Sequence, residues 1–292
     1  MNDEYHSYLI EGERAGTRYA LELPRTASAA LAGERLGRQA GTSLEFRDHR
    51  DYQPGDDLRR IDWNAFARSD RLTVRLYREE ISTHLDIVID GSRSMALESS
   101  AKLRAAVGLA AAFAVAAENA GYSHGAWLAR EFVERIGNGA GRPSLWQAPD
   151  FDFRGNPAES LLRAPVRFRQ QGMRVFISDL LWLGEPLAVL QRLAQGAALL
   201  VVAQTLAASD ADPWQWAERG RVRLIDSETD EGREIFIDDA AIRRYRDALD
   251  RHLQNWRRAC RQTGAVMVTL TAEQIVRDWN LEALVKAQIF KV

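Results

Sequence analysis

The chain has 292 residues, a formal net charge of −2 and 46% hydrophobic residues. That length supports a sizeable core, and a charge so close to zero gives no electrostatic footprint for nucleic acid or an anionic membrane as the main partner. The single cysteine, Cys260, excludes an internal disulfide and a thiolate zinc site, and the three lysines, Lys102, Lys286 and Lys291, form no Gly-Lys-Ser/Thr, which excludes a P-loop.

The five histidines contain no i,i+4 pair. The first residues, Met1-Asn2-Asp3-Glu4-Tyr5-His6, lack the basic and apolar regions of a signal peptide. The most apolar stretch, residues 109–117, is mostly alanine and far shorter than the ~20 residues that span a bilayer. A cytoplasmic protein with no integral membrane segment is expected.

Residues 1–44 are weakly patterned. Tyr19-Ala20-Leu21-Glu22-Leu23 reads as a short strand ended by Pro24, and 26–36 as a helix. From 44 to 80 charge and turn formers dominate. Pro54-Gly55 is a turn with a mechanism, since proline fixes φ and glycine supplies φ > 0. Leu72-Thr73-Val74-Arg75-Leu76-Tyr77 alternates as a half-buried strand does. From residue 84 strands and helices alternate. Strands are predicted at 84–90, 126–129, 132–136, 173–177, 198–202 and 266–270, with a hairpin over 221–225 and 234–237. Leu103, Ala106, Val107, Ala110, Phe113, Ala114 and Ala117 share one helical face, stopped by Gly121. Further helices are predicted from Pro157 to about Pro165, over 187–193, from a cap at Asp238 or Asp239 through Ala259, and from a Thr271/Gln274 capping box. Such alternation implies an α/β fold with a mostly parallel sheet and helices on both faces.

Asp90-Gly91-Ser92-Arg93-Ser94-Met95 sits where the buried strand 84–90 breaks into a loop. Ligands of open α/β sheets bind at the carboxyl ends of strands. Asp and Ser oxygens are hard donors suited to Mg²⁺. Asp179 stands at the end of the strand over 173–177. Asp90, Ser92, Ser94 and Asp179 would make an octahedral Mg²⁺ (or Mn²⁺) set completed by water. The competing reading is that these side chains cap the helices that follow.

The arrangement resembles the von Willebrand factor A fold and its metal-ion-dependent adhesion site. Glu45-Phe46, Arg50-Asp51-Tyr52, Pro54-Gly55-Asp56-Asp57, Arg60-Ile61-Asp62-Trp63, Ala67-Arg68 and Glu80, followed by Asp90-x-Ser92-x-Ser94-Met95, resemble the signature of domain-of-unknown-function family 58. The resemblance implies a von Willebrand A-like, Rossmann-like domain over 81–292 after an N-terminal, β-containing extension over 1–80. Members of that family are typically bacterial, and many are encoded beside MoxR-type AAA+ ATPases. A non-enzymatic adaptor is therefore expected, working with such an ATPase, and with a client protein, in complex assembly or in metal or cofactor insertion. One departure concerns the site: the adhesion site usually takes a threonine from a second loop, and no threonine lies between Gly91 and Ser178. The loop expected to supply it is Arg154-Gly155-Asn156-Pro157-Ala158, in which Asn156 would offer a carbonyl oxygen, directly or through water, in place of the hydroxyl. Arg93 adds positive charge beside any cation.

In the upstream block eight arginines from Arg47 to Arg78 interleave with nine acids from Glu45 to Glu80. That balance disfavours a phosphate patch and favours an Arg–carboxylate network. Two roles are open to the block: pinning the segment to the main domain, or docking a partner through Pro54, Gly55, Asp56, Asp57, Arg60, Asp62, Trp63 and Arg68. Tyr52, Trp63 and Phe66 are expected to anchor on the core. Trp182, Trp214, Trp216, Asp210, Asp212 and Pro213 are expected on the rim of the ligand edge. The alternative function is a metal-dependent hydrolase, a nuclease or phosphoesterase, in which Asp56, Asp57, Asp62, Asp90 and Asp179 hold two metals. Near-neutral charge and the lack of a His or Lys base beside the motifs weigh against it.

Overall fold

A computed structural model describes residues 2–22, 44–53, 56, 61–79, 83–97, 100–163, 166–212 and 220–292. Pro54, Gly55, Asp57, Arg60, Pro213, Trp214 and Trp216, and the helix expected over 26–36, lie outside the described residues.

The chain opens with a helix that the charge-rich sequence hid, α1 (Asn2–Gly16), followed by the two-residue strand β1 (Ala20–Leu21). An antiparallel pair follows, β2 (Leu44–Asp51) and β3 (Thr73–Glu79), with α2 (Trp63–Ser69) between them. Asp62 caps α2 by accepting from the amides of Asn64 and Ala65. Ile61 and Val74 are buried in this unit and bridge one another.

The main sheet begins at β4 (His84–Asp90). Next come α3 (Lys102–Asn119), stopped by Gly121 at φ 77°, then β5 (Ser123–Ala129) and β6 (Val133–Arg135). The chain then crosses through α4 (Pro157–Arg163) to β7 (Met173–Ser178), and through α5 (Pro186–Ala194) to β8 (Leu199–Leu206). A short turn of helix, α6 (Ala208–Ala211), follows β8. The predicted hairpin is β9 (Gly220–Ile225) and β10 (Gly232–Ile237), paired antiparallel. The long helix α7 (Asp239–Thr263) is capped by the Asp238 carboxylate on the Ala241 amide and ends at Gly264, φ 71°. Last come β11 (Val266–Thr271), α8 (Ala272–Asp278), α9 (Glu282–Lys286) and β12 (Phe290–Lys291). Thr271 makes no side-chain cap bond, contrary to the capping-box prediction. It is the last residue of β11, paired with Leu206 on β8, so the strand already sets its direction.

The six main strands lie in the order β11-β8-β7-β4-β5-β6. All are parallel except β6, which runs antiparallel to β5. The molecule is thus α/β with a mixed, mostly parallel sheet flanked by helices. Side chains alternate across the sheet as the pleat requires. Leu85, Ile87, Ile89, Val175 and Ile177 face a layer built from α3, α1, α8 and α9. Val88, Phe176, Leu200 and Val202 face a second layer with Leu161, Val189, Leu193 and Trp256.

Residues 2–22, assigned from sequence to an extension over 1–80, pack with the first of these layers. Tyr5, Leu9 and Leu21 are part of its core, and β1 pairs with β12. Gly12 lies so close to α3 that a Cβ there would stand 2.0 Å from the Gly108 carbonyl oxygen. Among the described residues no helix is long and apolar enough to cross a membrane.

Candidate cation site at the β4/β7 crevice

The chain leaves β4 toward β5 and leaves β7 toward β8, on opposite sides. Their adjacent carboxyl ends therefore form the switch point where such sheets leave a crevice. Asp90 ends β4 and Asp179 follows β7, and both are fully buried.

Three loops meet there. The Asp90 loop bridges the loop before α4, Ser92 pairing with Phe153 and the Arg93 amide donating to the Phe153 carbonyl at 3.0 Å. Asn156 ties that second loop to the third by donating its Nδ2 to the Leu183 carbonyl. The Asn156 Oδ1 accepts from the Ala158 amide at 2.9 Å, at the start of α4. The side chain expected as a substitute cation donor is thus engaged at both ends in holding its own loop.

The capping alternative does not describe the aspartates. Asp90 Oδ1 accepts from the Ser92 amide at 2.9 Å in a tight turn, and α3 begins only at Lys102, preceded by Ala101. Ser92 precedes a short 3₁₀ turn and makes no side-chain cap bond to it. Asp179 Oδ1 accepts from the Leu181 amide at 3.0 Å, and α5 starts at Pro186.

The second oxygen of Asp90 accepts from the Ser178 hydroxyl at 2.6 Å. Burial, and then the neighbouring Asp179 charge, push the Asp90 carboxyl up to about 6; hydrogen bonds from Ser178 and Ser92 pull the other way. Asp179 Oδ2 instead receives the Lys102 ammonium at 2.8 Å, and the same ammonium lies 3.1 Å from Asp210 Oδ2. Burial opposes the Lys102 charge, but the Asp179 and Asp210 carboxylates more than offset it, so its pKa is raised. Two carboxylates therefore share one ammonium, and Asp90 beside them is held by the Ser178 hydroxyl and the Ser92 amide.

The Ser92 and Ser94 hydroxyl oxygens stand 3.1 Å apart. Two neighbouring ligands of an octahedral Mg²⁺ are separated by roughly 3 Å, given Mg–O bonds of about 2.1 Å. Each hydroxyl keeps a free lone pair, and each carboxylate oxygen of Asp90 and Asp179 has a second one. The two hydroxyls therefore stand at a separation that neighbouring ligands of a small hard cation take, next to the buried Asp90 carboxylate. Among the described residues no group of three or more His, Cys, Asp or Glu side chains is placed to hold a metal. Any site here depends on the serines.

The upstream candidates fall elsewhere. Asp56 forms a two-pronged pair with Arg50, at 2.6 and 2.8 Å, and accepts from the Gln53 amide. Arg50 and that amide hold the Asp56 carboxyl below its ordinary range. Asp62 caps α2, and Arg68 donates to the Asn64 carbonyl within α2. Trp63 is 61% exposed and meets Phe66 edge-on, so it does not anchor on the core as expected. Trp182 packs edge-on against buried Trp256, and Asp212 pairs with Arg246 on α7.

Sequence reasoning passed over four participants. Lys102 carried a signal: it is one of three lysines in the chain and opens an otherwise alanine-rich buried helix. Ser178 stood directly before Asp179. The other two, Glu228 and Asp230, come from the turn between β9 and β10. The Ser94 amide donates to Glu228 Oε1 at 3.1 Å, Arg93 donates to Asp230 Oδ1 at 2.7 Å, and Arg154 also donates to Asp230. Nothing local in the sequence marks that turn as a neighbour of Asp90.

Fold and crevice define an α/β protein with a hydroxyl-and-carboxylate site at the switch point of a doubly wound sheet. The family described as "Protein of unknown function DUF58" matches residues 48–255, and the chain belongs to it. Uncharacterized protein Rv1480 of Mycobacterium tuberculosis and uncharacterized protein Mb1516 of Mycobacterium bovis are each 30% identical to it over 280 residues, spanning 89% of this chain and 83% of theirs.

Proposed function

We propose that the protein is a non-enzymatic adaptor with a von Willebrand A-like domain whose crevice holds Mg²⁺ or Mn²⁺ and grips a carboxylate of a partner. The observation that carries this reading is the meeting of Asp90, Asp179 and the Ser92/Ser94 hydroxyl pair at the β4/β7 switch point, with more buried negative charge than Lys102 neutralises. Buried charges need partners, and a divalent cation supplies what the Asp90 side of the site lacks. The Ser92 and Ser94 hydroxyls would bind the ion, and Asp90 and Asp179 would supply charge behind them. Lys102 holds Asp179 in place. The family resemblance makes a MoxR-type AAA+ ATPase the partner of choice.

Titration calorimetry with Mg²⁺ and Mn²⁺ tests the site. We expect binding to the wild type and at least a tenfold loss in Ser92→Ala/Ser94→Ala. Equal heats from both proteins would overturn the cation reading. Failure to retain a purified MoxR-type ATPase in every nucleotide state would overturn the partner. Metal-dependent phosphoester turnover abolished by Asp90→Ala would replace the adaptor with a hydrolase.

A further inference from the structure

We infer that the β9–β10 turn is an internal stand-in for the partner, covering the cation site until a partner segment bearing two carboxylates displaces it. This inference rests on the adaptor reading above and adds the chemistry of the partner and the means of its control.

The turn is seated on the Asp90 loop through Ser94 and Arg93. Glu228 Oε1 takes the Ser94 amide at 3.1 Å. Its second oxygen, Oε2, is buried and has no hydrogen-bond partner. A buried carboxylate oxygen without a donor is costly, and the other oxygen of the same carboxylate sits on the amide of Ser94, one of the two serines that the cation reading assigns as ligands. Two residues on, Asp230 receives Arg93 at 2.7 Å and also Arg154. These two arginines hold the Asp230 carboxyl below its ordinary range. The Arg93 guanidinium further donates to the Ser227 carbonyl at 3.3 Å. Arg93, which seemed misplaced beside a cation, thus has a counter-charge from the turn.

The turn is shaped before it docks. Asp226 Oδ1 accepts from the amides of Glu228 and Thr229 at 2.8 and 3.0 Å, and the Asp230 amide closes back on the Asp226 carbonyl. By contrast the hairpin behind it is loosely held: Leu224, Ile225 and Phe236 are all at least half exposed. A rigid acidic tip on a weakly packed arm is suited to displacement. The competing segment must offer what the tip offers: one carboxylate for the serine loop and a second, two residues later, for Arg93 and Arg154.

Amide hydrogen exchange of the full chain, with and without Mg²⁺, tests this in Glu228→Ala/Asp230→Ala, a tip without acceptor side chains that keeps the Asp226 turn. We expect Ser94 to lose protection at least tenfold. A synthetic peptide spanning residues 220–237 should bind the variant at least tenfold more tightly than it binds the wild type. Unchanged Ser94 protection together with unchanged peptide affinity would overturn the stand-in. If Mg²⁺ binds and the tip proves irrelevant, the adaptor reading survives alone. If the tip protects Ser94 but no divalent ion binds either protein, the cover survives and the cation reading fails. Should the double variant not fold, Glu228→Ala alone provides the same two readouts.

Discussion

Asp90 is the residue whose chemistry is most constrained. Its carboxyl is raised to about 6 by burial and by Asp179, whereas an unfolded aspartate titrates near 3.9. Between those values the folded state holds a proton that the unfolded state has released. The corresponding stabilisation is present in full below about pH 4 and is lost as pH rises through 6. In metal-free buffer, denaturant titrations should therefore show stability falling across that window by up to about 3 kcal/mol, from the two-unit difference. Asp90→Asn keeps an acceptor for the Ser92 amide and has no charge to bury. It should flatten the profile and exceed the wild type in metal-free stability at pH 7.5, while losing any stabilisation by Mg²⁺. A wild-type profile that rises through the window would contradict the burial argument. Lys102 makes the opposite prediction. Lys102→Met strands the Asp179 charge in a fully buried position, and breaking a buried pair costs about 3–5 kcal/mol. Adding Asp179→Asn should recover much of that loss in the same denaturation assay. A strictly additive double variant would show that Lys102 acts through packing of its stem instead.

Elements differed in how openly the sequence announced them. The buried strands were legible because continuous apolar runs end at turn residues, as in Leu85 to Ile89 before Asp90-Gly91. The hairpin and the long amphipathic helix α7 were legible from their periods. Helix α1 was not, because charged residues surround its stripe. The stripe is Tyr5, Leu9, Gly12 and Gly16, at spacings of four, three and four, and its glycines carry no hydropathy signal although they make the contact. A Cβ on Gly12 would overlap the Gly108 backbone, and one on Gly16 would come within 2.8 Å of the Ala112 carbonyl oxygen. Gly12→Ala should therefore force α1 away from α3. Overpacking of this kind costs about 1–3 kcal/mol, enough to lower the melting temperature by several degrees. An unchanged melting temperature would mean that the two helices can part without cost. The strand-end loop Asp90–Met95 was legible as a site because its residue types are unusual after an apolar strand. The loop that touches it from residue 228 was not, since 134 residues separate Ser94 from Glu228 and no local pattern encodes that meeting.

At the scale of the whole molecule, residues 2–22 and the sheet share one core. Tyr5, Leu9 and Leu21 sit in the layer that covers β4 and β7, and β1 completes a two-stranded sheet with β12. The family match begins only at residue 48, so the segment lies outside the matched region while contributing to the fold. Burial of a large apolar side chain contributes about 1.5–3 kcal/mol. Leu9 and Leu21 together supply roughly 3–6 kcal/mol, a large share of the roughly 5–15 kcal/mol by which a domain exceeds its unfolded state, while the buried Tyr5 hydroxyl, which has no hydrogen-bond partner, offsets the gain from its ring. A chain that starts at residue 44 should therefore lose cooperative thermal unfolding, and it should expose Ala112, Phe113 and Ala116 of α3 to a hydrophobic dye. The cation site offers an independent check of the same coupling. Lys102 opens α3, and α3 is the helix that α1 clamps, so the truncated chain should also lose Mg²⁺ binding, although none of the ligands lies within the removed segment. Full Mg²⁺ affinity in a truncated protein that still melts cooperatively would show that the sheet holds Lys102 and Asp179 together without α1.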